Sequence, residues 1–223
     1  MKLFPLFLDL NDKPILVVGN GFETESRTEQ LLACGAKVTV IAPFPLPKIA
    51  RLQATGKIHF IAGEVKEQDV KQARLVFCTT RDHSVVELVT DLAHRYGVFC
   101  NVSDHFTQCS AVVPAIIQYH DFQIALSSAG KSPALLQVVK NIIHKNVGPD
   151  YGLFNELLGR LRPQIRQRIK NFEDRKQLYF MLASDSKALE WIGSGEMESA
   201  RLRLQQIIDA FIAESQEVNA ESA

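Results

Sequence analysis

Pro14-Ile15-Leu16-Val17-Val18-Gly19-Asn20-Gly21-Phe22-Glu23-Thr24 is the stretch whose reading decides the fold. A short apolar run, rich in branched residues, meets a Gly-x-Gly turn, and a helical pattern follows at once. Leu31 and Leu32 fall on one side of that helix, while Glu23, Glu25, Arg27 and Glu29 fall mostly on the other. Strand, glycine turn and helix in this order are how a doubly wound α/β domain holds a dinucleotide pyrophosphate. Gly19 supplies the sharp turn, and Gly21 removes a side chain where a phosphate would approach the backbone. The helix start offers unpaired N–H groups and the positive end of a helix dipole. Two positions depart from the ideal motif. Thr24 stands where a small residue is wanted for close helix–strand packing, and Asn20 fills the middle of the turn, where asparagine tolerates a left-handed backbone. Taken alone, the motif weighs evenly between a nucleotide site and a plain strand–helix turn.

Composition narrows the choice. The chain has 223 residues and is 46% apolar, enough for one large domain or a medium domain with a helical extension. It carries 25 basic and 25 acidic residues, and a nucleic-acid binder usually shows a basic excess, so no nucleic-acid partner is expected. Cys34, Cys78, Cys100 and Cys109 have no CxxC spacing and read as reduced core residues of a cytoplasmic protein. The histidines show no metal-ligand spacing, so no permanent metal site is expected. No apolar run approaches the ~20 residues of a membrane span. The start, Met1 to Leu10, is too short in its apolar core for a secretory leader and reads as an edge strand, with Pro5 where no ladder N–H is needed.

Further strands are predicted at residues 37–42, 58–62, 73–79 and 97–102, separated by a short helix at 45–55 and a longer one at 83–95. Asp82 is placed to cap the longer helix and Gly97 to end it. The second strand ends Ala42-Pro43-Phe44, without the acidic residue that often holds a ribose. The fourth ends at Thr79-Thr80, whose hydroxyls face the crevice where ligands bind in open α/β sheets. The fifth is followed by Ser103-Asp104-His105. This alternation predicts a parallel sheet, a Rossmann-type domain over residues 1–113. The pattern then changes. Two strand-like runs at 111–117 and 122–127, a loop at 128–133 and an apolar helix at 135–143 carry more hydrophobic surface than a small region can bury alone. Residues 114–149 are therefore expected to form a dimerisation region and the protein a two-fold homodimer. Residues 150–223 read as helix throughout, turning at Gly193-Ser194-Gly195, with about the last ten residues disordered. The fold class is thus α/β: a Rossmann-type sheet domain, a small dimerisation region and an all-helical carboxyl-terminal region.

Six ordered pieces together resemble a known family. They are Phe4-Pro5-Leu6-Phe7-Leu8-Asp9-Leu10, Val17-Val18-Gly19-x-Gly21, Gly35-Ala36-Lys37-Val38-Thr39-Val40-Ile41-Ala42-Pro43, Asn101-Val102-x-Asp104, Pro114-Ala115, and Ser127-Ser128-x-Gly130-Lys131-Ser132-Pro133. The family is precorrin-2 dehydrogenase/sirohydrochlorin ferrochelatase, the amino-terminal module of siroheme synthase, which also occurs free-standing. The resemblance covers roughly residues 1–183; the family's methyltransferase module has no counterpart in this sequence. It implies that NAD⁺ takes a hydride from precorrin-2 to give sirohydrochlorin, into which many members then insert ferrous iron. NAD⁺ is expected rather than NADP⁺, because the second strand ends without a basic cluster. The cofactor would lie on Gly19, Asn20, Gly21, Phe22 and Glu23, with Pro43 and Thr80 beside it.

The resemblance also places the catalytic aspartate at Asp104, where a carboxylate could accept the proton lost in dehydrogenation and those lost from the pyrrole nitrogens. Read from sequence alone, the same residue could simply cap a turn. His105 beside it reads as structural or incidental, the alternatives being a ligand to iron in transit or a proton shuttle. Ser128, Lys131 and Ser132 are expected to hold carboxylates of the tetrapyrrole, with Ser132 and Pro133 also suited to start a helix. The basic run Arg160, Arg162, Arg166, Arg168 and Lys170 is either a solvated face or a second contact with that substrate. Where the family has Gly-Gly-Gly, a small residue and Arg-Lys, this chain has Asn20, Thr24 and Ser26-Arg27. A usual asparagine is Val86, and a loop glycine is Ala129. These positions keep open a second reading, a non-catalytic Rossmann dimer that binds nucleotide or tetrapyrrole.

Overall fold

The computed structural model describes residues 3–221, with side chains to Glu214. It divides into two compact units, Met1–Val113 and Pro114–Ala223. In the first, five strands alternate with helices: β1 (Pro14–Val18), α1 (Phe22–Ala33), β2 (Lys37–Ala42), α2 (Pro47–Ala54), β3 (His59–Ala62), α3 (Glu67–Gln72), β4 (Leu75–Cys78), α4 (His83–Tyr96) and β5 (Phe99–Val102). All neighbouring strands are parallel, in the order β3-β2-β1-β4-β5.

Period-two alternation in β1 explains the layering. Ile15 and Val17 face one hydrophobic layer with Leu31 and Ile49 of α1 and α2, while Leu16 and Val18 face another with Val70 and Val89 of α3 and α4. Both sides of the strand are buried, so it reads as a continuous apolar run rather than an alternating one. Each fully buried branched side chain contributes about 1.5–3 kcal/mol.

Two sequence expectations for this unit are corrected, and one short helix goes unread. Residues 3–10 form no strand. Phe4, Leu6, Phe7 and Leu8 are exposed, and of this segment Leu10 packs on the core. An apolar segment becomes a strand only with a ladder to join, and β1 is already paired on both sides, with β2 and β4. The small helix α3 carries no visible period in the sequence, because it is six residues long and buries only Val70. Cys34 is exposed at the end of α1, whereas Cys78, Cys100 and Cys109 are buried free thiols.

The second unit opens with an antiparallel hairpin, β6 (Ala115–Tyr119) and β7 (Phe122–Leu126). Its first strand starts four residues later than the run read from sequence, because Ser110 and Ala111 are bonded to Cys100 of β5. Helix α5 (Pro133–Asn146) buries none of its residues; Leu135, Val138 and Ile142 are all more than half exposed. Gly148-Pro149 starts the next helix rather than merely breaking the chain, since a proline in the first turn needs no N–H partner. The remainder is α6 (Pro149–Arg168), α7 (Phe172–Ala183), α8 (Ser186–Gly193) and α9 (Met197–Glu221).

These four helices enclose a core that includes Leu161, Ile165, Leu178, Ile192 and Leu204. Gly152 lets α6 touch the hairpin: a Cβ there would lie 2.5 Å from the Tyr119 carbonyl oxygen. Asp185 caps α8 through the Ala188 N–H and forms a two-pronged pair with Arg203 of α9. The Arg203 guanidinium holds its carboxyl below the usual carboxylate range. The tail read as disordered meets a helix that continues to Glu221; Ser222 and Ala223 lie outside the described residues. No helix among the described residues is long and apolar enough to cross a membrane.

Candidate functional site

The strand order reverses at β1, whose two neighbours are β2 and β4, so a crevice opens beyond the carboxyl ends of β1 and β4. Gly19 lies there with φ +146°, in backbone space that side chains rarely enter. Its N–H donates to the Ile41 carbonyl at 3.0 Å. A Cβ on Gly19 would sit 2.4 Å from the Thr79 hydroxyl. The left-handed backbone expected at Asn20 falls on Gly19 instead, and Asn20 has an ordinary negative φ.

Gly21 caps α1 in extended conformation, and a Cβ built on it meets nothing within 4 Å. Open space is what a phosphate approaching the backbone requires. Glu25 is the first helical residue whose N–H reaches a carbonyl, that of Gly21. The N–H groups of Phe22, Glu23 and Thr24 have no partner among the described residues. The turn therefore fits a dinucleotide pyrophosphate: room at Gly21, and main-chain donors at a helix start.

Thr24, read from sequence as an obstacle to packing, is a hub. It is fully buried, its hydroxyl accepts from the Gly21 N–H at 3.1 Å, and it lies 2.8 Å from the Thr79 hydroxyl. Thr79 in turn donates to the Val18 carbonyl at 3.1 Å. The bulk is accommodated because each polar atom it brings is bonded. Sequence reasoning picks Thr80 from the Thr79-Thr80 pair and passes over Thr79, although the pair itself, at a strand end, is the signal for both. The Thr80 hydroxyl accepts from the Asp82 N–H.

Around the turn, Phe22 and Glu23 are exposed, as are Pro43 and Phe44 at the end of β2. Glu23 lies 3.8 Å from Arg27, which stacks over the Phe77 ring at 5.0 Å and donates to Gln30. Arg27, aligned by resemblance with a cation of the family, is thus already engaged. Asp82 caps α4 as expected, and the Ser84 hydroxyl, followed by the Val85 and Ser84 N–H groups, holds its carboxyl below the usual range.

Asp104 is exposed and left-handed, φ +60°, on the turn just after β5. Its position beyond a carboxyl strand end puts it on the ligand side of the sheet. The His105 ring meets that of His83, at the start of α4, edge-on at 5.7 Å. From here the chain passes through a 3-10 turn (Phe106–Gln108) and returns along β5. Cys109, which the sequence offers only as core, lies at the foot of this loop. The Val102 N–H donates to its sulfur at 3.2 Å, and its thiol reaches the carbonyls of Val102 and His105 at 3.3 and 3.4 Å. Next to it, the Cys100 N–H donates to the Ser110 hydroxyl at 2.8 Å. Burial pushes the Cys78 thiol up to about 11 and Cys100 to about 12, and raises Cys109, so all three stay neutral thiols.

Ser128, Lys131 and Ser132 belong to the second unit. Ser128 accepts from the Ser132 N–H and Ser132 from the Leu135 N–H, each at 3.1 Å, while Ala129 and Gly130 turn left-handed. Lys131 is exposed. In the basic run, Arg160 lies 3.7 Å from Glu156, Arg162 stacks on Tyr179 and Arg168 pairs with Asp209. No group of three or more metal-ligating side chains comes together among the described residues.

Comparison with known proteins places this arrangement. Residues 6–115 match a family model described as NAD(P)-binding, and residues 150–208 match one described as the sirohaem synthase dimerisation region. That second match falls on the helices rather than on residues 114–149. In three dimensions the chain is similar to SirC, precorrin-2 dehydrogenase, with a TM-score of 0.74 and 22% identity over 92% of this chain and 100% of that one, a likeness of fold. Siroheme synthase of Pseudoalteromonas translucida is 30% identical over 94% of this chain and 44% of its own length. Siroheme synthase 1 of Aeromonas salmonicida is 30% identical over 96% and 45%. The chain spans less than half the length of these curated relatives. With both family models matched in order, the similarity to siroheme synthases runs through nearly all of this chain's residues.

Proposed function

We propose that this chain oxidises precorrin-2 to sirohydrochlorin, using NAD⁺ as hydride acceptor, as a homodimer in the cytoplasm. The observation that carries the reading is a conjunction in a chain similar to siroheme synthases. An open glycine turn with main-chain donors lies at the end of β1, and an exposed carboxylate lies on the ligand side of the same sheet, after β5. Gly19 and Gly21 let the backbone close on the pyrophosphate, and Phe22, Glu23 and Thr24 offer their N–H groups. Asn20, Pro43 and Thr80 border the cofactor. The nicotinamide, when bound, supplies the hydride acceptor.

Loss of a hydride from one carbon of the substrate must be matched by loss of a proton, and Asp104 takes it. Its exposure suits that role, because the carboxylate is open to a docked tetrapyrrole. Ser128, Lys131 and Ser132 hold substrate carboxylates. Insertion of ferrous iron into sirohydrochlorin is part of the proposal; there Asp104 accepts protons leaving the pyrrole nitrogens as the metal, itself a substrate, enters. Self-association uses the uncovered face of α5 and the hairpin; the dimerisation description matches the helices that follow, residues 150–208.

One observation favours the second reading, binding without turnover. The first turn of α1 carries Glu23 and Glu25, and Arg27 is spent on Phe77, Glu23 and Gln30, so the pyrophosphate meets carboxylates on this helix and no uncommitted cation.

The reading is tested by the absorbance of NADH after mixing the protein with precorrin-2 and NAD⁺. We expect turnover, and a fall of ~10²–10⁴-fold in Asp104→Asn, the usual reach of a positioned acid or base, with folding and NAD⁺ binding nearly intact. NAD⁺ binding without NADH formation would leave the second reading standing. Full turnover in Asp104→Asn would remove Asp104 from the mechanism.

A further inference from the structure

We propose that Cys109 is a positioning residue, a thiol strap that closes the loop from Val102 to Cys109 and so fixes the left-handed turn that presents Asp104; this rests on the reading of Asp104 as the proton acceptor. Asp104 has no fixed place of its own. It is exposed, and its φ of +60° lies in the left-handed region, which aspartate tolerates better than most side chains but does not prefer. The main chain of the loop supplies a 3.0 Å bond from the Ser103 N–H to the Cys78 carbonyl of β4, a 3.4 Å bond from the His105 N–H to the Val102 carbonyl, and the 3-10 turn after it. Beyond the bonds of Ser110 and Ala111 to Cys100, the side chain of Cys109 joins the loop's two ends. Its sulfur accepts the Val102 N–H, and its thiol proton is shared between the carbonyls of Val102 and His105, the residues on either side of Ser103-Asp104. Cys109 and Val102 are both buried, so water does not substitute for the sulfur at that N–H.

The strap predicts that loss of the thiol frees the turn and lowers turnover by acting through Asp104, not through the cofactor. The test uses the full chain with Cys109→Ala, Cys109→Ser, Asp104→Asn and the Cys109→Ala/Asp104→Asn double variant. Two quantities are read: hydrogen exchange of the amides at 103–108, and kcat and KM for NADH formation from precorrin-2. We expect Cys109→Ala to speed exchange at 103–108 by about tenfold or more, leaving β1 to β4 unchanged. It should lower kcat by about tenfold at constant KM for NAD⁺, and Cys109→Ser, which can both donate and accept, should restore most of each.

In the Asp104→Asn background, Cys109→Ala should change kcat by less than about twofold, since two residues acting through one group do not add. An equal fall in both backgrounds, or unaltered exchange at 103–108, overturns the strap. Where Cys109→Ala does not fold, Cys109→Val fills the volume without a donor or acceptor and is held to the same outcomes. A wild-type protein that forms no NADH refutes the dehydrogenase reading, and the exchange arm still decides whether Cys109 holds the loop.

Discussion

The turn after β1 and the turn before α5 are made of similar residues and both lead into a helix, yet they dispose of their hydrogen bonds in opposite ways. Before α5, Ser128 and Ser132 each accept a loop or helix N–H, and Pro133 has none to offer, so the turn satisfies itself. After β1, the Thr24 hydroxyl turns inward to Thr79 and to the Gly21 N–H, and the first helical N–H groups stay open. Small and hydroxyl residues ahead of a helix thus do not by themselves make a binding site. What decides is whether their oxygens bond to the helix or to the scaffold. The first turn meets a ligand with its main chain; the second would do so with side chains, the Lys131 ammonium and the hydroxyl protons of Ser128 and Ser132.

The comparison can be broken at its most constrained point. Gly19→Ala places a methyl group 2.4 Å from the Thr79 hydroxyl in a backbone conformation hostile to side chains. A loss on the order of 2–4 kcal/mol is expected in denaturant unfolding. An unchanged midpoint would mean that the turn is not locked by β4. Gly21→Ala sharpens the contrast, because its backbone is extended and its surroundings open. Stability should stay within about 0.5–1 kcal/mol while NAD⁺ affinity, measured by calorimetry, falls roughly 10–100-fold, or about 1.4–2.8 kcal/mol. Undiminished binding would move the cofactor away from this turn. Smallest is Ser132→Ala, which removes a cap and should cost about 1 kcal/mol, with NAD⁺ affinity untouched. A parallel drop in NAD⁺ affinity would show that the two turns are not independent.

Most of the sheet is legible in the sequence because each strand is a compact apolar run bounded by glycine or hydroxyl residues, as Val38 to Ala42 and Leu75 to Cys78 show. Residues 3–10 carry the same composition and mislead, since pairing depends on a partner that no local pattern reveals. At the site, residue type is visible and bonding is not. Gly19 and Gly21 can be named from the motif, but which of them takes the unusual φ and which faces open space follows from Thr79, far along the chain on the next strand's end. Thr24 looks too large for its place because its hydroxyl's partner is out of sight. Cys109 is hidden for the converse reason: a buried thiol reads as a small apolar residue until its neighbours prove to be backbone polar groups.

The return of the chain along β5 has one more effect. A strand arriving from another molecule extends a sheet by bonding to outward-facing N–H and carbonyl groups on its last strand. On β5 the two N–H groups it would use, those of Cys100 and Val102, are held by Ser110 and Cys109, and the Cys100 carbonyl already receives Ser110 and Ala111. The loop that carries Asp104 therefore also seals this border against runaway sheet growth. Two copies of the chain cannot join by continuing the sheet here, and crowding that exposes other faces leaves this one inert.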